Sequence, residues 1–145
     1  MAHQNPPDDQ LKQLLIDAHT IAMVGASSSP DKASHRIMQE MQQAGYRVIP
    51  VNPHETEVLG ERSYPSLTDV PEHVDIVDVF RHAEDTPPIA DEAVKIGAKA
   101  LWLQAGIVNE EAAARAAAGG LAVVMNACVG ATRRRLSVPN KTPTT

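Results

Sequence analysis

The sequence predicts an α/β fold, a doubly wound sheet of about five parallel strands with helices on both faces. Three observations carry this. A helical stretch that ends at a glycine and runs straight into an apolar strand recurs as "QEMQQAGYRVIPV", "DEAVKIGAKALWL" and "RAAAGGLAVVM". Those strands are nearly continuous apolar runs, as expected when both faces of a parallel sheet are covered. Two further runs, Thr20 to Gly25 and Val74 to Phe80, supply the remaining strands.

Each element follows in order. A first helix is expected from about Asp8 to Ala18, with Leu11, Leu14 and Leu15 on one face. The strand Thr20 to Gly25 runs into a serine-rich turn, and Ser34 is expected to cap the helix after it. Glycine suits the left-handed position that closes a helix, so the next strand begins just beyond Gly45. The segment "NPHETEVLGERSYPSLTDVPEH" holds three prolines and is expected to wrap over a sheet edge. "TPP" at Thr86 to Pro88 suits a helix start, because proline is tolerated in the first turn. Asn109 before "EEAAA" reads as an N-cap with acids in the first turn, and Ala112 to Ala118 continues that helix. The prediction is therefore a single α/β domain over residues 1–136, with 137–145 as a flexible tail.

The bulk numbers bound the function. At 145 residues the chain is one domain's worth, and 43% hydrophobic residues suffice for a core. Aromatics are 3%, so that core is aliphatic. A net charge of −5 argues against nucleic-acid binding. No apolar run reaches the roughly 18 residues of a membrane span. The polar start "MAHQNPPDDQ" lacks the features of a signal peptide. A single cysteine, Cys128, fits a reducing compartment and a cytoplasmic location.

The loop "GASSSPDKASHR" is the most informative stretch. In an open parallel sheet, ligands bind beyond the carboxyl ends of the strands. Those ends lead into Gly25, Asn52, Phe80, Gln104 and Asn126. Gly25 is expected to turn the backbone tightly and leave room for a ligand, so that any side chain there would displace it. Ser27, Ser28 and Ser29 offer hydroxyls, and Lys32 and Arg36 offer positive charge. With the free N–H groups of the following helix, they suit a phosphate or diphosphate. A plain serine-rich turn is the bland alternative. Of the three glycines of a dinucleotide fingerprint, only Gly25 is present. Asn52 and Pro53 stand where a nicotinamide site would place an acid, although Glu55 and Glu57 lie nearby.

In order, "VGASSSPDKASHRIM", "GYRVIPVNP", "LGERSYPSL", "VDIVDVFR", "IGAKALWLQAGIVNEEAA" and "GLAVVMNACV" resemble the small stand-alone coenzyme A-binding proteins. That family is similar to the CoA-binding domain of the succinyl-CoA synthetase alpha subunit. The resemblance spans Asp8 to Leu136. It implies a Rossmann-like domain with CoA or an acyl-CoA as ligand at the carboxyl edge, and the diphosphate near Gly25, Ala26 and Ser27. It puts the adenosine end near Val51, Asn52 and Pro53, with Phe80 and Arg81 lining the site. Lys32 and Arg36 match positions that meet phosphates, and Gln104 and Cys128 fall on motif positions.

Two positions depart from the family pattern. His54 stands where relatives often carry Lys or Arg, and a histidine adds charge only when protonated. Asn126, Ala127 and Cys128 replace a common Asp-Arg-Cys, which removes a charge pair. The synthetase also needs a second domain with a phosphorylated histidine and another subunit. A ligase activity is therefore not expected of this chain alone.

The remaining chemistry-bearing residues have plainer readings. The six histidines show no metal-ligand spacing. Cys128 reads as a small, semi-buried residue at a strand end. Asp75 and Asp78 flank an apolar strand, one of them expected to face solvent, and neither is given a catalytic role. Arg133 to Arg135 read as a solvated helix face, and Trp102 as core or an interface anchor. With no acid–base pair or activated nucleophile legible, a CoA binder without catalytic machinery is favoured over an NAD(P)-binding or CoA-thioester-using enzyme or enzyme subunit. A protein partner or homo-oligomer stays open.

Overall fold

The computed structural model describes residues 2–141. The chain runs α1 (Asp8–Asp17), β1 (Thr20–Val24), α2 (Ala33–Gln43), β2 (Arg47–Val51), β3 (Glu57–Val58), β4 (Glu61–Arg62), β5 (Ile76–Val79), α3 (Thr86–Lys95), β6 (Ala100–Leu103), α4 (Glu110–Ala118), β7 (Ala122–Val124) and α5 (Val129–Arg135). Five strands form one parallel sheet in the order β2-β1-β5-β6-β7. The predicted fold class, a Rossmann-like α/β sheet, is the one observed.

Both faces of the sheet are covered, which is why its strands are apolar throughout. Ile21 and Met23 of β1 face one side, with Leu11 and Leu15 of α1, Met38 and Met41 of α2, and Val129 at the start of α5. Ala22 and Val24 face the other, with Ile89, Ala90 and Ala93 of α3 and Ala112, Ala113 and Ala116 of α4. The alanine-rich helix lies close on the sheet, as small side chains permit. Trp102 of β6 is fully buried, its indole N–H donating to the Ala127 carbonyl at 2.8 Å. That settles Trp102 as core.

Four helix ends follow the sequence signals. α2 and α3 are followed by left-handed glycines, Gly45 (φ 97°) and Gly97 (φ 75°). Asn109 caps α4 by accepting from the Ala112 N–H at 2.8 Å. Prolines occupy the first turn of α3.

The segment after β2 does line the sheet edge. Tyr64 N–H donates to the Pro50 carbonyl at 3.1 Å, and Asn52 N–H to the Tyr64 carbonyl at 2.8 Å. Arg47 adds ion pairs to Glu61 and Glu72, at 2.9 and 2.6 Å. At the opposite edge, the Asn5 side chain exchanges two 2.9 Å hydrogen bonds with the Met125 backbone. Satisfying edge groups in this way discourages strand addition.

Residues 137–141, assigned from the sequence to the tail, pack against the body. Val138 is buried. Lys141 N–H donates to the Ala44 carbonyl at 2.7 Å, and its ammonium lies 4.7 Å from the Tyr46 ring centroid. Val138 is joined there by the Lys141 ammonium, which also donates to the Ile16 carbonyl at 2.6 Å. Residues 142–145 of the expected tail lie outside the described residues.

Candidate functional site

From β1 the chain crosses to β2 on one side and returns to β5 on the other. Strand order reverses between β1 and β5, and a ligand crevice opens at such a point beyond the carboxyl ends. The registers Val24 to Val51 and Val24 to Val79 bring the three strand ends level. Gly25 and Phe80 therefore meet at the crevice. Gly25 has φ 90°, and a Cβ built there would lie 2.4 Å from the Phe80 carbonyl oxygen. The expectation that a side chain at Gly25 would displace a ligand is corrected here. The space a side chain would need is filled by the backbone after β5.

The loop beyond Gly25 is held by its neighbours. Ala26 is fully buried, so it offers the site only backbone. Asn52 donates to the Ala26 carbonyl at 2.8 Å and accepts from the His54 N–H at 2.9 Å. It thus clamps the loops after β1 and β2 together. Ser27 Oγ accepts from the Ser29 N–H at 3.1 Å. Ser28 N–H and Oγ both donate to the Glu55 carboxylate, at 2.5 and 3.0 Å. The donors of this loop already hold an anionic oxygen, which is the chemistry a phosphate needs.

α2 begins two residues earlier than a Ser34 cap implies. Its N-cap is Lys32, without a capping side chain, and Ser34 is buried within the first turn. The expected Ser34 cap is therefore absent, and that end of the helix carries no side-chain acceptor. Arg36 donates to the Asp31 carbonyl at 2.8 Å. Lys32 and His54 are exposed.

Three clefts surround this point. The first, about 240 Å³, has Val24, Val51, Pro53, Leu67 and Ile89 as apolar walls, with Arg81, Asp85 and Glu92 as polar groups. The second, about 410 Å³, lies among Phe80, Arg81, His82 and Gly106. The third, about 230 Å³, is lined by Ala33, Arg36, Ile37, Phe80, Gln104, Ala105, Ile107 and Cys128. Val51, Pro53, Arg36, Phe80, Arg81 and Gln104 are thus brought to one edge, and Phe80 belongs to two of the clefts.

One buried acid belongs with them. Asp78 of β5 has no exposed surface and accepts from the Gln104 side-chain amide. Burial pushes its carboxyl up to about 7, against the smaller opposing effects of Gln104 and the Val79 N–H. Asp75 is also buried, accepting from the His19 and Thr20 N–H groups at 2.8 and 3.1 Å. The expectation that one of the two faces solvent is corrected. The signal was present in "VDIVDVF": alternation puts Asp78 on the same face as Ile76, and that face is covered.

A family model described as "CoA binding domain" matches residues 19–134. The chain belongs to this CoA-binding family. The uncharacterized protein YneT of Bacillus subtilis is 41% identical over 126 residues, covering 87% of this chain and 93% of that protein. A hypothetical protein from Pyrococcus horikoshii OT3 superposes with a TM-score of 0.89 at 35% identity, covering 94% of this chain and 99% of its own. The ADP-forming acetate–CoA ligase II of Archaeoglobus fulgidus is 29% identical over 94 residues, which are 63% of this chain and 14% of the ligase. The family matched is the one the six motifs resemble. Among the described residues of this CoA-binding domain, no helix is long and apolar enough to cross a membrane. No group of three or more His, Cys, Asp or Glu among them is arranged to hold a metal ion.

Proposed function

We propose that this CoA-binding domain holds coenzyme A or an acyl-CoA across the carboxyl edge, as a binder in a reducing, cytoplasmic setting. The diphosphate rests on the loop Gly25 to Ser28 and the uncapped start of α2. The adenosine end takes the first cleft, where apolar walls suit a base and Asp85 and Glu92 offer acceptors to its amino group. The pantetheine end crosses Phe80 toward Gln104. The observation that carries this reading is the exposed Ser28–Glu55 contact in the loop after β1, where loop donors hold an anionic oxygen ahead of an uncapped helix start.

Calorimetry on the purified chain tests it. CoA is expected to bind at least about tenfold more tightly than NAD, NADH or FAD, a difference of about 1.4 kcal/mol. Tighter binding of NAD would overturn the reading and favour the dinucleotide alternative.

A further inference from the structure

Asp78 is an expensive residue to keep where it is. It stands between Met23 and Trp102 in the sheet register, with no exposure. One carboxyl oxygen accepts from Gln104, and the other, Oδ2, has no hydrogen-bond partner among the described residues. An unpartnered buried polar oxygen destabilises the fold, and an apolar residue there would not. Gln104 joins this acid to the third cleft, which it lines with Phe80, Ile37, Ile107 and Cys128.

A primary amide has a donor end and an acceptor end. Whichever end Gln104 turns to Asp78, the other is left for the cleft. An ionised Asp78 only accepts, so it draws the NH2 group and leaves Oε1 for a ligand. A protonated Asp78 can donate, so it can take Oε1 and leave the NH2 group. We propose that Asp78 and Gln104 form a proton-linked polarity switch that lets the third cleft tell a free thiol from a thioester. This rests on the CoA reading, in which the pantetheine end reaches that cleft. A thiol S–H is a donor and is favoured with Asp78 ionised. A thioester carbonyl is an acceptor and is favoured with Asp78 protonated.

The surroundings allow such a switch near neutrality. Burial is the main cause of the raised Asp78 carboxyl, and no neighbouring charge contributes. β1 and β6 set Met23 and Trp102 beside it, and α1 packs Leu11 and Leu15 on this face. The charged or titratable groups carried by the other elements of this face are Asp8, Asp9, Lys12 and Asp17 of α1, His35, Arg36 and Glu40 of α2, Tyr46 before β2, Cys128 ahead of α5, and Arg133, Arg134 and Arg135 of α5. Glu40 and Arg134 pair with each other at 2.9 Å.

The test is calorimetry with CoA and acetyl-CoA at pH 5.5 and 7.5. The preference for acetyl-CoA over CoA is expected to be about threefold or more greater at the lower pH. Asp78→Asn, neutral at both values, should make that ratio independent of pH. Gln104→Met, which leaves the acid in place, should do the same and serves if the first variant does not fold. Binding of both ligands with a pH-independent ratio in the parent overturns the switch alone. A pH-dependent ratio that survives both substitutions also overturns it. Binding of neither ligand overturns the functional reading, and the switch with it.

Discussion

Gly25 shows how a residue can be singled out correctly and explained wrongly. A lone glycine after the first strand marks a special turn, and φ 90° bears that out. The sequence could not tell which neighbour crowds it. The neighbour is the Phe80 carbonyl, fifty-five positions along the chain and adjacent only through the β1–β5 pairing. Gly25→Ala is therefore expected to destabilise the fold by about 2–4 kcal/mol, combining backbone strain with overpacking. Urea denaturation measures this. A loss below about 1 kcal/mol would mean that the two strand ends separate easily. Ser34 shows the reverse error. It is a good capping type, but the helix starts at Ala33 and buries it.

At the scale of elements, helix ends written in one residue were legible and those made by the fold were not. Asn109 carries its own acceptor and caps α4 as expected. The start of α2 is completed by no local residue, and its serine loop is held instead by Glu55 from the turn after β2. That carboxylate occupies donors assigned here to a diphosphate and repels one that approaches. Glu55→Gln is expected to raise CoA affinity about three- to tenfold at low salt, on the order of 1 kcal/mol. The gain should shrink in high salt, where an exposed charge is screened. Titration of both proteins with CoA at two salt concentrations decides it. Unchanged affinity at low salt would place the diphosphate away from Ser28.

Over the whole molecule, two buried acids pull stability in opposite directions with pH. Asp78 titrates at about 7 in the fold and at about 3.9 in an unfolded chain. Between those values the folded state binds more protons, so stability falls as pH rises through the window. For Asp75, burial raises the carboxyl, but the His19 and Thr20 N–H groups with Lys99 and His73 outweigh it and leave it lowered. Its contribution is complete above about 3.9 and is lost as pH falls through the folded value. Urea midpoints measured from pH 5 to 7.5 are expected to fall in the parent. Asp78→Asn should abolish most of that fall, which is on the order of a few kcal/mol. Parallel curves for the two proteins would mean that Asp78 titrates normally.

The sequence by itself determined the sheet, its helices and the family. Apolar runs, closing glycines, an Asn cap and six motifs in order are local signals, and local propensity and pattern agree throughout. It also brought Gly25, Asn52, Phe80 and Gln104 to one edge, because parallel strands joined by helices must all end on the same side. Only the tertiary structure decided what those residues touch. Phe80 against Gly25, Glu55 on Ser28 and Gln104 on Asp78 join residues 26 to 55 positions apart. Lys141 belongs with these, since its partners are Ile16 of α1 and Ala44 and Tyr46 in the turn between α2 and β2. A contact between distant residues depends on strand register and layer packing, and no single stretch of chain carries either.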